Sequence, residues 1–161
     1  MISCVIADTS CLIALDRIHS LALLQELFSS IVATEEVSAE FGKPLPAWIS
    51  IQKVNDEAKK KELAAHLDQG EASAIALALE TPASVLIMDE KKGRRIAKEL
   101  NLEILGTLRI LGLAKQKGIL SSVSQAVSEL EKKNLLLMTV PCASWGPFED
   151  VGCRKAACPF S

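Results

Sequence analysis

Ile2-Ser3-Cys4-Val5-Ile6-Ala7 closes on Asp8, and Ser84-Val85-Leu86-Ile87-Met88 closes on Asp89. Both are short apolar runs with little polar alternation, which reads as a strand buried on both faces. Strands of that kind belong to parallel sheets with helices on either side. Each acid then stands at the carboxyl end of a strand, the edge beyond which open α/β sheets bind their ligands.

Outward from these two runs, helices and strands alternate. Ser10 is placed to cap a short helix through Ile13-Ala14-Leu15, and Leu21, Leu24, Leu27 and Phe28 give helical spacing for the next. Ile31-Val32-Ala33 reads as a second strand, followed by a Thr34-capped helix with Val37 and Phe41 one turn apart, which Pro44 and Pro46 stop. Trp48 to Val54 holds a third strand, and Asn55 starts a charged helix reaching about His66. Gly70 is expected to break the chain there. A helix over Asp68 to Glu80 puts Ala72, Ile75, Ala76 and Leu79 on one face. After Asp89 come a helix to about Asn101, a short strand at Glu103-Ile104-Leu105, and helices beginning near Thr107 and Ser121. The alternation predicts an α/β fold of three layers, a parallel sheet flanked by helices.

A chain of 161 residues, 49% hydrophobic, suffices for one substantial core. We expect one domain over 1–138 and, over 139–161, a Cys- and Pro-containing C-terminal tail without apolar periodicity. With 18 basic and 20 acidic residues the net charge is -2, so nucleic acid is not gripped by bulk positive potential. Local charge or metal ions must supply any such contact. No basic start with a cleavage pattern and no apolar run of membrane-spanning length is present, so a cytoplasmic protein with no membrane role is expected. The five cysteines imply no disulfide framework, and Cys142, Cys153 and Cys158 lack a paired spacing for zinc. His19 and His66 stand apart from other ligand-type residues.

Four acids carry the chemistry: Asp8, Glu40, Glu71 and Asp89 each occupy a strand end or helix edge able to face one sheet edge. Hard divalent ions such as Mg²⁺ and Mn²⁺ prefer such oxygens. A cation there activates water and stabilises the leaving oxygen of a phosphodiester. Each acid also has a structural reading. Asp8 and Asp89 stand where helix caps are needed, Glu40 resembles any exposed helical glutamate, and Asp68-Gln69-Gly70-Glu71 has the spacing of a capping box. Lys91, Lys92, Arg94 and Arg95 follow Asp89 and are expected to hold substrate phosphates, or else form a solvated helix face.

Val5-Ile6-Ala7-Asp8-Thr9-Ser10, Glu40 after Glu35-Glu36-Val37, Gly70-Glu71-Ala72-Ser73-Ala74-Ile75-Ala76 and Leu86-Ile87-Met88-Asp89-Glu90-Lys91-Lys92-Gly93-Arg94-Arg95 together resemble the PIN-domain nucleases. Gly106-Thr107-Leu108 and Lys117-Gly118-Ile119-Leu120 resemble a VapC-like prokaryotic branch of them. The resemblance spans roughly residues 2 to 135. It implies a Mg²⁺ or Mn²⁺ site and endonucleolytic cleavage of single-stranded RNA, with a homodimer and, in toxin relatives, a small antitoxin partner. By position Asp8, Glu40, Glu71 and Asp89 match the acidic cluster, Thr9 or Ser10 the hydroxyl beside the first acid, and Thr107 a hydroxyl opening a late helix. Glu90 replaces or assists the fourth acid. The expectation is that Asp8 and Asp89 anchor the principal ion, with Glu40 and Glu71 completing its shell directly or through water. Clustered charge should raise carboxylate pKa values in the metal-free protein. Two other classes stay open: a phosphatase using Asp8 as nucleophile, although Ser10 stands where such enzymes carry a second aspartate, and a non-catalytic interaction module.

Overall fold

The computed structural model describes residues 4–133. The tail at 139–161, with Cys142, Cys153 and Cys158, lies outside them, as do Ile2 and Ser3. In chain order the elements are β1 (Cys4–Ala7), α1 (Thr9–Arg17), α2 (Leu23–Leu27), β2 (Ile31–Thr34), α3 (Glu35–Phe41), β3 (Ile49–Gln52), α4 (Glu57–Ala64), α5 (Gln69–Glu80), β4 (Ser84–Ile87), α6 (Lys91–Glu99), β5 (Ile104–Leu105), α7 (Thr107–Gln116) and α8 (Val123–Lys132).

The five strands form one parallel sheet in the order β3-β2-β1-β4-β5. The chain builds outward from β1 to β3, then returns to lay β4 on the other side of β1, so the switch point falls between β1 and β4. Ligands of doubly wound sheets bind at such a switch. The Asp8 N–H donates to the Ile87 carbonyl at 3.1 Å and fastens the two strand ends together.

Both faces of the sheet are covered, as an apolar strand requires. Successive residues alternate sides: Val5, Ala7, Ile31, Ala33, Val85 and Ile87 join the core beneath α1, α2, α7 and α8. Ile6, Val32, Leu86 and Met88 join a second core beneath α4, α5 and α6. Asp8 and Asp89 thus emerge at one edge, between two dry layers.

Local differences from the sequence expectations have simple causes. Asp8, not Ser10, occupies the N-cap position of α1, and makes no side-chain cap bond. Thr34 caps α3 as expected, accepting the Val37 N–H at 3.1 Å. That helix ends before the prolines, because Gly42 takes the left-handed conformation (φ 76°) that terminates helices. Asp56 rather than Asn55 caps α4, while the Glu80 carboxylate accepts from the backbone N–H groups of both Asn55 and Asp56. The third strand keeps only Ile49–Gln52 of the stretch Trp48 to Val54. Gly70 breaks nothing. It lies in the first turn of α5, where every residue from Gly70 to Ala78 is buried. Leu79 turns outward instead, 39% exposed.

Candidate active site

Asp8 is 1% exposed. Its Oδ2 accepts the Ser10 hydroxyl at 2.9 Å. Its Oδ1 is buried and has no hydrogen-bond partner. A buried ionised oxygen left unpaired is costly, so burial, with a smaller contribution from the Glu40 charge, pushes the Asp8 carboxyl up to about 6 against the pull of Ser10 and the backbone N–H groups of Thr9 and Ser10.

Glu40 comes to this edge from the last turn of α3. The residue is exposed, yet both carboxylate oxygens are engaged: Oε2 accepts the Thr9 hydroxyl at 2.7 Å, and Oε1 accepts the Gly70 N–H at 2.8 Å. Only glycine permits this approach. A Cβ on residue 70 would stand 2.3 Å from Glu40 Oε2 and 2.7 Å from Thr9 Oγ1.

Glu71, next in α5, is 7% exposed. Its carboxyl rises to about 7, driven first by burial, then by the charges of Asp8, Asp68 and Glu90, with the Asp68 backbone N–H acting in the opposite sense. That N–H contact is one half of a capping box; the other half is missing, because the Asp68 side chain makes no cap bond. Gly93 makes room on the α6 side, where an added Cβ would lie 3.6 Å from the Glu71 carboxyl carbon and 2.5 Å from Met88 Sδ.

Asp89 is placed two residues beyond β4. Its Oδ1 accepts the Thr107 N–H at 2.8 Å, and Oδ2 accepts the Thr107 hydroxyl, so the first turn of α7 is tied to it by two bonds. Thr107 Oγ1 also lies 3.1 Å from Cys11 Sγ. Burial, then the charges of Asp89 and Asp8, push the Cys11 thiol well above its usual range, so it stays protonated. Glu90, half-buried, takes the N-cap position of α6 without making a side-chain cap bond.

The cations of α6 divide. Lys91, Lys92 and Arg95 are exposed. Arg94 is half-buried and donates from Nη1 to the Met88 carbonyl at 3.2 Å, packed where a Cβ on Gly106 would meet it at 2.6 Å.

The ends of two strands, the last turn of α3 and the first turn of α5 therefore converge. Glu40 touches the neighbour of Asp8 and the neighbour of Glu71; Glu71 feels the charge of Asp8; Asp89 reaches through Thr107 to the Asp8 side of the sheet at Cys11. The sequence reading did not single out Cys11 or Ser73, and took Gly70 for a break. A serine inside an alanine-rich run was the only signal for Ser73. A sequence pattern described as a PIN domain matches residues 4–139. The chain belongs to the PIN-domain family. That membership gives it a nuclease-type role. No curated protein and no solved structure matches the chain.

PIN nucleases typically use divalent metal ions. Among the described residues, no three His, Cys, Asp or Glu side chains are arranged as a ready ligand group. Mg²⁺ needs only one or two carboxylates, keeping waters on its other positions. Asp8 and Glu71 meet that need: all their donor atoms are oxygen, one buried oxygen of Asp8 lacks a partner, and both carboxyls are held above their ordinary range in a way that a nearby cation would reverse. Among the described residues, no helix is long and apolar enough to cross a membrane.

Proposed function

We propose that this PIN domain is a Mg²⁺- or Mn²⁺-dependent endoribonuclease that hydrolyses phosphodiester bonds of single-stranded RNA in the cytoplasm. The observation that carries the reading is the unpaired, buried Oδ1 of Asp8 beside the raised carboxyl of Glu71. Asp8 and Glu71 hold the ion directly in this proposal, with Glu40 and Asp89 completing the shell, through water where their oxygens are already engaged. A divalent cation bound there polarises the phosphoryl group and lowers the pKa of water.

The chain's own residues do the rest. Thr9 and Ser10 fix the carboxylates of Glu40 and Asp8, and Thr107 fixes Asp89. Lys91, Lys92 and Arg95 stand exposed on the helix that starts beside Asp89, where they receive RNA phosphates despite the net charge of -2. Arg94 steadies the turn after β4 through the Met88 carbonyl and keeps a cation near that path. Glu90 adds negative charge on the Glu71 side. The VapC-like motifs support a role as the toxin of a toxin–antitoxin pair, with a homodimer and a small antitoxin as partners.

The test is cleavage of single-stranded RNA by the folded chain. Activity should vanish with EDTA and return with Mg²⁺ or Mn²⁺. Asp8→Asn should lower it by more than about 100-fold and Asp89→Asn by about 10-fold, since changes to groups behind the ligands are the milder ones. Full activity in both variants, with folding checked by circular dichroism, defeats the proposal.

A further inference from the structure

A serine inside a helix competes for backbone groups and adds little to an apolar face, so a fully buried one has a reason to be there. Ser73 of α5 is 0% exposed. Its hydroxyl donates to the Gly70 carbonyl at 2.9 Å and stands 2.7 Å from Thr34 Oγ1. A hydroxyl has one proton to give, and that of Ser73 goes to Gly70, so Thr34 is the donor between the two. Thr34 Oγ1 in turn accepts the Val37 N–H at 3.1 Å. The bonds run in one direction, from Val37 to Thr34 to Ser73 to Gly70, and each buried hydroxyl both accepts and donates.

Gly70 is also where Glu40 docks. Its N–H donates to Glu40 Oε1, and the other Glu40 oxygen accepts from Thr9, the residue after Asp8. The start of α3 at Thr34 and its last turn at Glu40 are therefore both fastened to the first turn of α5, one residue before Glu71.

We propose that Ser73 is a positioning residue of the nuclease site: bonded to Thr34 and to the Gly70 carbonyl, it locks the first turn of α5 against α3 and so sets Glu71 relative to Glu40 and Asp8. This rests on the nuclease reading above. Packing alone leaves two helices able to slide, whereas a pair of directional bonds in a dry interior fixes their offset. The hydroxyl reaches neither substrate nor ion. It acts through Gly70.

The test compares Ser73→Ala with Thr34→Ser in the full chain. The first removes the hydroxyl; the second removes a methyl from the same spot and keeps every bond. Three quantities are read: amide hydrogen exchange at Gly70, Mn²⁺ affinity by calorimetry, and kcat and KM on single-stranded RNA. Ser73→Ala should speed Gly70 exchange and weaken Mn²⁺ binding about 10-fold each, with kcat reduced and KM within about twofold. Thr34→Ser should stay within about twofold throughout. Unchanged Gly70 exchange and Mn²⁺ affinity in Ser73→Ala, in a chain whose wild type binds Mn²⁺ and cuts RNA, overturns the role of Ser73 and leaves the nuclease reading standing. Equal losses in Ser73→Ala and Thr34→Ser also overturn it, since packing would then be the cause. A wild type that neither binds Mn²⁺ nor cuts RNA overturns the nuclease reading, and this proposal with it.

Discussion

Asp8 and Asp89 follow neighbouring strands of one sheet, at the same edge, after runs that read alike. Their surroundings are opposite. Asp89 has both oxygens occupied by Thr107, whereas Asp8 has one oxygen held by Ser10 and one left bare in the interior. The first arrangement anchors a helix; the second stores an unmet demand for positive charge. A strand-then-acid pattern thus marks where a carboxylate will stand, and the neighbours supplied by other elements decide what it is for.

The contrast can be broken most directly by pH. Burial raises the Asp8 carboxyl to about 6 and the Glu71 carboxyl to about 7, both above their unfolded values. A carboxyl raised in this way binds more protons folded than unfolded, so its favourable contribution is present at low pH and is lost as pH rises through the folded pKa. Metal-free stability should therefore fall between about pH 4 and pH 8, by on the order of 3 kcal/mol from Asp8 alone. Thermal unfolding in EDTA measures it. Asp8→Asn should flatten that slope, and Mn²⁺ should restore stability at the alkaline end of the wild-type curve. A flat wild-type profile would mean that burial raises neither the Asp8 nor the Glu71 carboxyl.

A smaller effect is expected from Gly70→Ala. The new methyl collides with the far end of the Glu40 side chain, which can swing aside, and with Thr9 Oγ1, which must shift, while alanine favours the helix by up to about 1 kcal/mol and offsets that strain. Stability should change little while RNA cleavage falls about 10-fold, read as kcat at saturating Mn²⁺. Asp89→Asn should cost about 1 kcal/mol, because the amide can no longer accept both Thr107 bonds; chemical denaturation measures this. Smallest of all, Lys91→Ala and Lys92→Ala should each reduce the slope of log affinity for single-stranded RNA against log salt by about 0.7, without moving the pH profile. Anisotropy titrations at several salt concentrations would show it.

Much of the fold was legible because its signals are local. The apolar strands, the Thr34 cap and the alternation of elements depend on residues near one another in the chain. Where the reading missed, a distant partner had intervened. Gly70 carries a helix-breaking residue into a helix because Glu40 and Thr9, thirty and more positions earlier, fill the space a side chain would need. Asn55 was passed over as a cap because Glu80 holds its backbone from another helix. Ser73 looked like a neutral member of an alanine run, and its partner Thr34 stands at the end of β2, thirty-nine positions earlier.

By itself, then, the sequence determined that two acids would stand at the ends of buried parallel strands, since apolar runs must be covered on both faces and the polar residue that ends them must emerge at an edge. Only the tertiary structure decided which carboxylates are satisfied and which are not. Hydrogen-bond partners such as Thr107 and Gly70 arrive from elements far along the chain, and burial, the chief cause of both raised carboxyls, exists only once the helices have packed over the sheet.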